Sequence, residues 1–336
     1  MSAATVARAR AGVLGGAARV AAAACCFGSI STLIVVATRG AAGREGASLA
    51  GASLAGAPLA GASLVGVLFW RYLIAALALG VLAARGSATS EASRVGRRPA
   101  LAAVVIGGLG QAGVAFLSLS ALRWISVATL AFVFYTYPAW VALFAAVRGT
   151  EPLDRRKLAA LALALAGIGC TIGLPGSATG SVAAAGGLLP GIVLALVAAV
   201  VYALYIPYLG ALQARFSPVG ASALVCAGAA VLFGAPALYG AANGGAPLLA
   251  LPVAAWLAIA TLAFVCTVFA FLAFLSGLAR LGPVRSAIVS TVEPFFTALL
   301  GAVVLRQPAG LGTVAGGVLI ALAVGLLSIR PGRATR

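Results

Sequence analysis

The feature that most limits what this chain can fold into is an apolar run about twenty residues long, repeated along nearly its whole length and punctuated by arginine. A helix needs roughly 20 such residues to cross the hydrocarbon core of a bilayer. The runs predict ten spans, at 20–38, 64–84, 101–121, 125–146, 158–174, 188–209, 218–240, 251–278, 286–305 and 311–329. They do not alternate apolar with polar residues, which argues against a transmembrane β-barrel. A chain that is 63% hydrophobic and 8% charged also exceeds what a soluble fold can hide. The expected class is an all-α polytopic membrane protein. Arg8, Arg10 and Arg19 ahead of the first run look like the start of a signal peptide. That run is long enough to span and nine others follow it, so it is read as the first span.

The net charge of +17 supports a topology and not a nucleic-acid partner, because the arginines sit between runs and form no patch. Threaded from a cytoplasmic N-terminus, the inside segments take 17 basic residues, and the outside segments and their borders take 5: Arg39, Arg44, Arg71, Arg123 and Arg306. That is the asymmetry of the positive-inside rule. It predicts a multi-pass protein of the plasma (inner) membrane with both termini cytoplasmic. The chain has no histidine, and its five cysteines lie in apolar runs without metal-ligand spacing. No metal or cofactor is expected. With five acids in all and no clustered catalytic groups, no enzymatic activity is expected either.

Sliding the sequence by 156 residues lays PAWVALFAAVRGTEPL (138–153) on PFFTALLGAVVLRQPA (294–309) without a gap. Ala and Leu matches mean little in this composition, but Pro138 with Pro294 and Pro152 with Pro308 are harder to obtain by chance. The chain therefore reads as two five-span repeats, 18–174 and 188–330. Because five is odd, the second must lie inverted. Inverted repeats recur in secondary transporters, with the substrate at their interface near the membrane midplane. A second, local repeat, GASLAGASLAGAPLAGASLVG (46–66), belongs to an insert at 43–62 that is read as a low-complexity outside loop.

Polar residues inside such runs are the functional candidates. Glu293, the only acid within a predicted span, is followed by Pro294. It could take up and release a proton, remain ionised opposite a cationic substrate, or pair with the other half to fix packing. The repeat sets Glu293 against Tyr137, each preceding the proline of an equivalent helix, so Pro138 and Pro294 are the predicted helix breaks. Tyr137 and Trp140 belong to an aromatic cluster able to line a cavity. Of Tyr202, Tyr205 and Tyr208, spaced every three residues, Tyr202 is the cavity candidate and Tyr208 an interfacial anchor. Gln111, the only amide in a span, is expected to bond a neighbouring helix or a ligand. Arg71, at the outer end of its span, could snorkel or guard the outer mouth. Gly107-Gly108-x-Gly110 and Ala315-Gly316-Gly317 are expected to let backbones approach closely.

Four landmarks carry a family resemblance: Phe27-Gly28-Ser29, Arg71-Tyr72, the proline-bearing fourth span running into Arg148-Gly149-Thr150-Glu151, and Glu293-Pro294. In this order the chain resembles the EamA branch of the drug/metabolite transporter superfamily. It departs from the pattern at Gln307, where an acidic residue tends to end the ninth helix. The resemblance implies a permease or exporter of small organic metabolites or drugs, working by alternating access, with amino acids and nucleobases within the range. It also implies that the Glu-Pro pair has a scaffold role whatever the substrate. No nucleotide-binding GxxxxGK[ST] loop is present, so gradients would drive transport. The alternatives are a sugar-phosphate or nucleotide-sugar exchanger of the same superfamily and a non-transporting membrane sensor. The expected partners are a small-molecule substrate and the lipid bilayer, and a homodimer is a further candidate.

Overall fold

The computed structural model describes residues 3–42, 64–85, 96–121, 124–125, 127–172, 189–244, 248–251, 253–305 and 311–328. The insert at 43–62 and Gln307 lie outside them. Among the described residues every regular element is helical. The first half holds α1 (Ala3–Ala42), α2 (Leu64–Arg85), α3 (Arg97–Ala121), α4 (Val127–Phe134), α5 (Tyr137–Val147) and α6 (Arg155–Ile172). The second holds α7 (Leu189–Leu212), α8 (Pro218–Ala242), α9 (Val253–Ala263), a π-helical segment (Phe264–Phe269), α10 (Ala270–Leu281), α11 (Pro283–Val289), α12 (Val292–Leu305) and α13 (Leu311–Ser328). Seven of the described helical stretches are long and apolar enough to cross a membrane, and Tyr137–Val147 and Val314–Leu327 are shorter apolar helices.

Local chemistry sets the ends. Asp154 accepts a hydrogen bond from the Lys157 backbone N–H at 2.8 Å and caps α6. Ser217 does the same for Gly220 at 3.2 Å, with Pro218 at the first helical position of α8. Gly282 separates α10 from α11 at φ 78° and ψ 169°, a conformation open essentially only to glycine. Pro283 then starts α11 where a missing N–H costs nothing.

The packing is that of a protein dissolved in lipid. Alanine supplies much of the buried set, whereas Leu101, Phe116 and Val303 stand 64, 68 and 70% exposed. Lipid tails are as apolar as leucine, so burying large side chains drives little, and close backbone approach does more. At the crossing of α3 and α8, a methyl on Gly108 would lie 2.5 Å from the Gly228 carbonyl carbon, and one on Gly228 would strike the Val104 oxygen. Gly110 leaves room for the Tyr205 ring, and Gly317 for that of Phe295. The two glycine clusters are helix-contact surfaces, as expected.

The closest packings join the halves. Helix α2 lies on α8 and α6 on α13; α3 contacts both α7 and α8; α1 contacts α10 and α12; α5 lies on α7. Exchanging each helix for its counterpart in the other half turns the α3–α7 contact into α10–α1 and the α5–α7 contact into α12–α1, both of which exist.

Candidate functional site

The two proline-bearing helices are both broken just before the proline. Helix α4 ends at Phe134 and α5 starts at Tyr137; α11 ends at Val289 and α12 starts at Val292. The same turn closes both gaps. Thr136 donates its hydroxyl to Val133 O at 2.7 Å, and Thr291 donates to Ile288 O at 2.7 Å. Backbone bonds then restart each helix: Ala139 N to Thr136 O at 2.9 Å and Glu293 N to Ser290 O at 3.0 Å. The threonines correspond one residue out of step with the prolines, so the turn is duplicated with a one-residue slip.

The breaks gather the aromatic groups around the acid. Glu293, in the first turn of α12, is half-buried: helices enclose it, yet part of its surface stays accessible. A carboxylate is favoured at that end of a helix, where free N–H groups concentrate positive potential. The Tyr135 hydroxyl is its hydrogen-bond partner, and the phenols of Tyr137 and Tyr202 lie within electrostatic reach of it. The Tyr137 and Tyr202 rings meet edge to face at 4.7 Å, and Phe134 stacks on Tyr202 at 5.5 Å. Tyr137 donates across the halves to Ala287 O at 3.4 Å. Among the described residues no cation lies within ion-pair distance of Glu293; the one ion pair joins Lys157 to Glu151 at 2.8 Å.

Helix α1 closes one side of this group through the first landmark. A methyl on Gly28 would lie 2.8 Å from the Glu293 carbonyl oxygen and 2.9 Å from the Thr297 hydroxyl. Thr297 donates to Gly28 O at 2.9 Å. Gly28 is therefore what lets α1 rest against the start of α12. Ser29, one residue on, donates to Cys26 O at 2.7 Å and lies 3.5 Å from Cys266 Sγ.

The other candidates divide. Tyr202 joins the cluster, while Tyr205 donates to Gly107 O at 3.0 Å and Tyr208 to Ala102 O at 3.4 Å, both fixing α7 to α3. Gln111 takes the helix-bonding role, donating to the Tyr72 hydroxyl at 2.7 Å, and Tyr72 in turn stacks on Phe233. Trp140 pairs with Phe144 at 6.2 Å. Phe144, Arg148 and Glu151 face Pro207, Leu278 and Gly282 across a cavity of about 370 Å³ between the halves.

Arg71 is the clear correction. It does not snorkel to the surface. It is 7% exposed and turned inward, with Nε donating to the Thr267 hydroxyl at 2.7 Å and Nη2 to Cys266 O at 3.1 Å. Both acceptors belong to the π-helical segment. Thr267 also donates five residues back, to Leu262 O at 2.9 Å.

Sequence reasoning placed Tyr135 in the aromatic cluster of the fourth span without giving it a role, and it passed over the π segment. In an unbroken helix, residues 135 and 137 would point to nearly opposite sides. The break turns both rings to one site, 6.2 Å apart. The signal was present in Pro138, three residues after Tyr135 and read as a helix break, but not in how the break turns the ring.

The sequence model of the EamA-like transporter family matches residues 46–173 and 189–329. No curated protein matches the chain by sequence. A solved crystal structure, described only as that of a protein, superposes with a TM-score of 0.63 over 90% of this chain and 95% of its own, at 22% identity. At that identity the likeness shows a shared fold.

Proposed function

The chain belongs to the EamA-like transporter family, within the drug/metabolite transporter superfamily, and from that premise we propose that it is a secondary exporter of small organic molecules working by alternating access. In this reading ten spans form two inverted repeats, 18–174 and 188–330, in the plasma membrane with both termini cytoplasmic. The exchangeable pairing of helices across the halves supports the inverted arrangement, as does the duplicated break.

One observation carries the site: a half-buried acid, Glu293, at a helix break deep in an apolar run, ringed by Tyr135, Tyr137 and Tyr202 with no cation in range among the described residues. An acid in hydrocarbon costs several kcal/mol or more unless it serves a cavity or a pathway. Its phenol partner Tyr135 bonds it without neutralising it, so it stays available to a proton or a positively charged group. Rocking of the halves about the two breaks would expose this group to each face in turn, and a proton carried by Glu293 would couple the gradient to export.

The test is metabolite efflux in an overexpressing strain against a null strain, repeated with Glu293→Gln across external pH. Loss of gradient-driven flux with normal membrane insertion is the expected result. A Gln form that exports at the wild-type rate at every pH would leave Glu293 a packing residue and end the coupling scheme.

A further inference from the structure

The membrane interior holds a second charge that the scheme above does not use. Arg71 is buried in α2 about 10 Å inside its helix end, at 1.5 Å per residue. Its partners are a hydroxyl and a backbone carbonyl. These satisfy donors but supply no negative charge, and a buried cation without an anion is costly. The acids that could balance it are few. Glu151 is engaged with Lys157, Asp154 caps α6, and Glu45 and Glu91 lie outside the described residues. Glu293 makes no ion pair with it.

The placement is also specific. Cys266, whose carbonyl holds Arg71, lies 3.5 Å from Ser29 Oγ, and the preceding residue, Gly28, touches the backbone of Glu293. The residue that holds the buried cation, Cys266, and the acid-bearing turn of α12 therefore border the same turn of α1, from different neighbouring helices. The π segment adds a Thr267 hydroxyl and an irregular backbone beside the cation, a feature frequent at functional sites.

We propose that Arg71 is an anion subsite of the transport site, so that the exported molecule carries a carboxylate, sulfonate or phosphate group that the guanidinium reads. A planar guanidinium with donors to spare is suited to such a group, which it can hold through two parallel bonds. The hydrogen bonds to Thr267 and Cys266 fix its orientation before the ligand arrives and reduce the ordering cost of binding. This proposal rests on the reading of the Glu293 cluster as the transport site and adds a substrate class to it.

The experiment uses the full-length protein in lipid nanodiscs and four probes built on one ring: 3-phenylpropionate, phenyl phosphate, phenethylamine and 3-phenylpropanol. Binding is read by thermal shift and calorimetry for wild type, Arg71→Gln, Thr267→Val and Glu293→Gln. The expected result is binding of at least one anionic probe, weakened about 10- to 100-fold by Arg71→Gln, the worth of a hydrogen bond to a charged group. Thr267→Val, which removes the clamp but keeps the charge, should retain most of that affinity. Three results overturn the proposal: anion affinity that survives Arg71→Gln, equal losses in Arg71→Gln and Thr267→Val, or wild-type binding confined to phenethylamine and 3-phenylpropanol. If the phenethylamine bound there depends on Glu293, the transport site stands and the anion subsite alone falls. Wild-type protein indifferent to all four probes would remove both.

Discussion

The gap between α4 and α5 and the gap between α11 and α12 are built alike, yet they present different chemistry. In each, a threonine hydroxyl returns to the carbonyl three residues earlier and a proline follows within three residues. The first break presents phenols, Tyr135 and Tyr137; the second presents the carboxyl of Glu293. Each reaches into the other half: Tyr135 bonds Glu293, and Tyr137 bonds Ala287 O. The two copies share the backbone device, and only the second carries a charge. One ionisable group serves a pathway as well as two, and a second acid nearby would repel the first.

The strongest way to break this comparison is to make the halves alike. Glu293→Tyr leaves both breaks phenolic and is expected to cut flux at least tenfold, a barrier increase of about 1.4 kcal/mol. Flux from proteoliposomes under an imposed proton gradient measures it. Adding Tyr137→Glu to that variant moves the acid to the other break, and equivalent breaks would restore part of the flux. A double variant as inactive as the single one would mean that the surroundings, not the turns, decide where the acid can work.

The next effect is on stability. Gly28→Val places branched carbons against the Glu293 carbonyl and the Thr297 hydroxyl, in a contact with no spare room. Overpacking of this kind costs about 1–3 kcal/mol. Thermal unfolding in detergent should show a clear drop in Tm, and an unchanged Tm would mean that α1 does not rest on α12 as described. Gly80→Val, whose methyl would meet nothing within 4 Å, is the control.

How much of this was readable in the sequence depends on the range of the interaction. The helical segments and glycine contacts follow from composition and local spacing. The repeat followed from two prolines in register; it set Tyr137 against Glu293, whereas the hydrogen-bond partner of the acid is Tyr135. Arg71 was misplaced because its partners lie 196 and 195 residues away, and one of them is a backbone carbonyl of the π segment. Hydropathy has no mark for that segment: Phe264–Phe269 reads as one more apolar turn. Trp140 was grouped with the acid through its nearness to Tyr137 along the chain. Its ring instead meets Phe144, a turn further on.

The finest distinction between the breaks lies in their threonines. Thr136→Val and Thr291→Val each delete one hydroxyl-to-carbonyl bond of the same length, 2.7 Å, and keep the shape of the side chain. A hydrogen bond of this kind contributes about 1 kcal/mol net. If the turns are equivalent as packing devices, the two variants lose the same stability within experimental error. They should still differ in function, because the turn at Thr291 sets the direction in which Glu293 leaves α12 and the turn at Thr136 positions only phenols. The expected pattern is equal shifts in denaturation midpoint with a larger loss of flux for Thr291→Val. Equal losses of flux would place the directing role in both turns, and the asymmetry would then reside in the carboxyl alone.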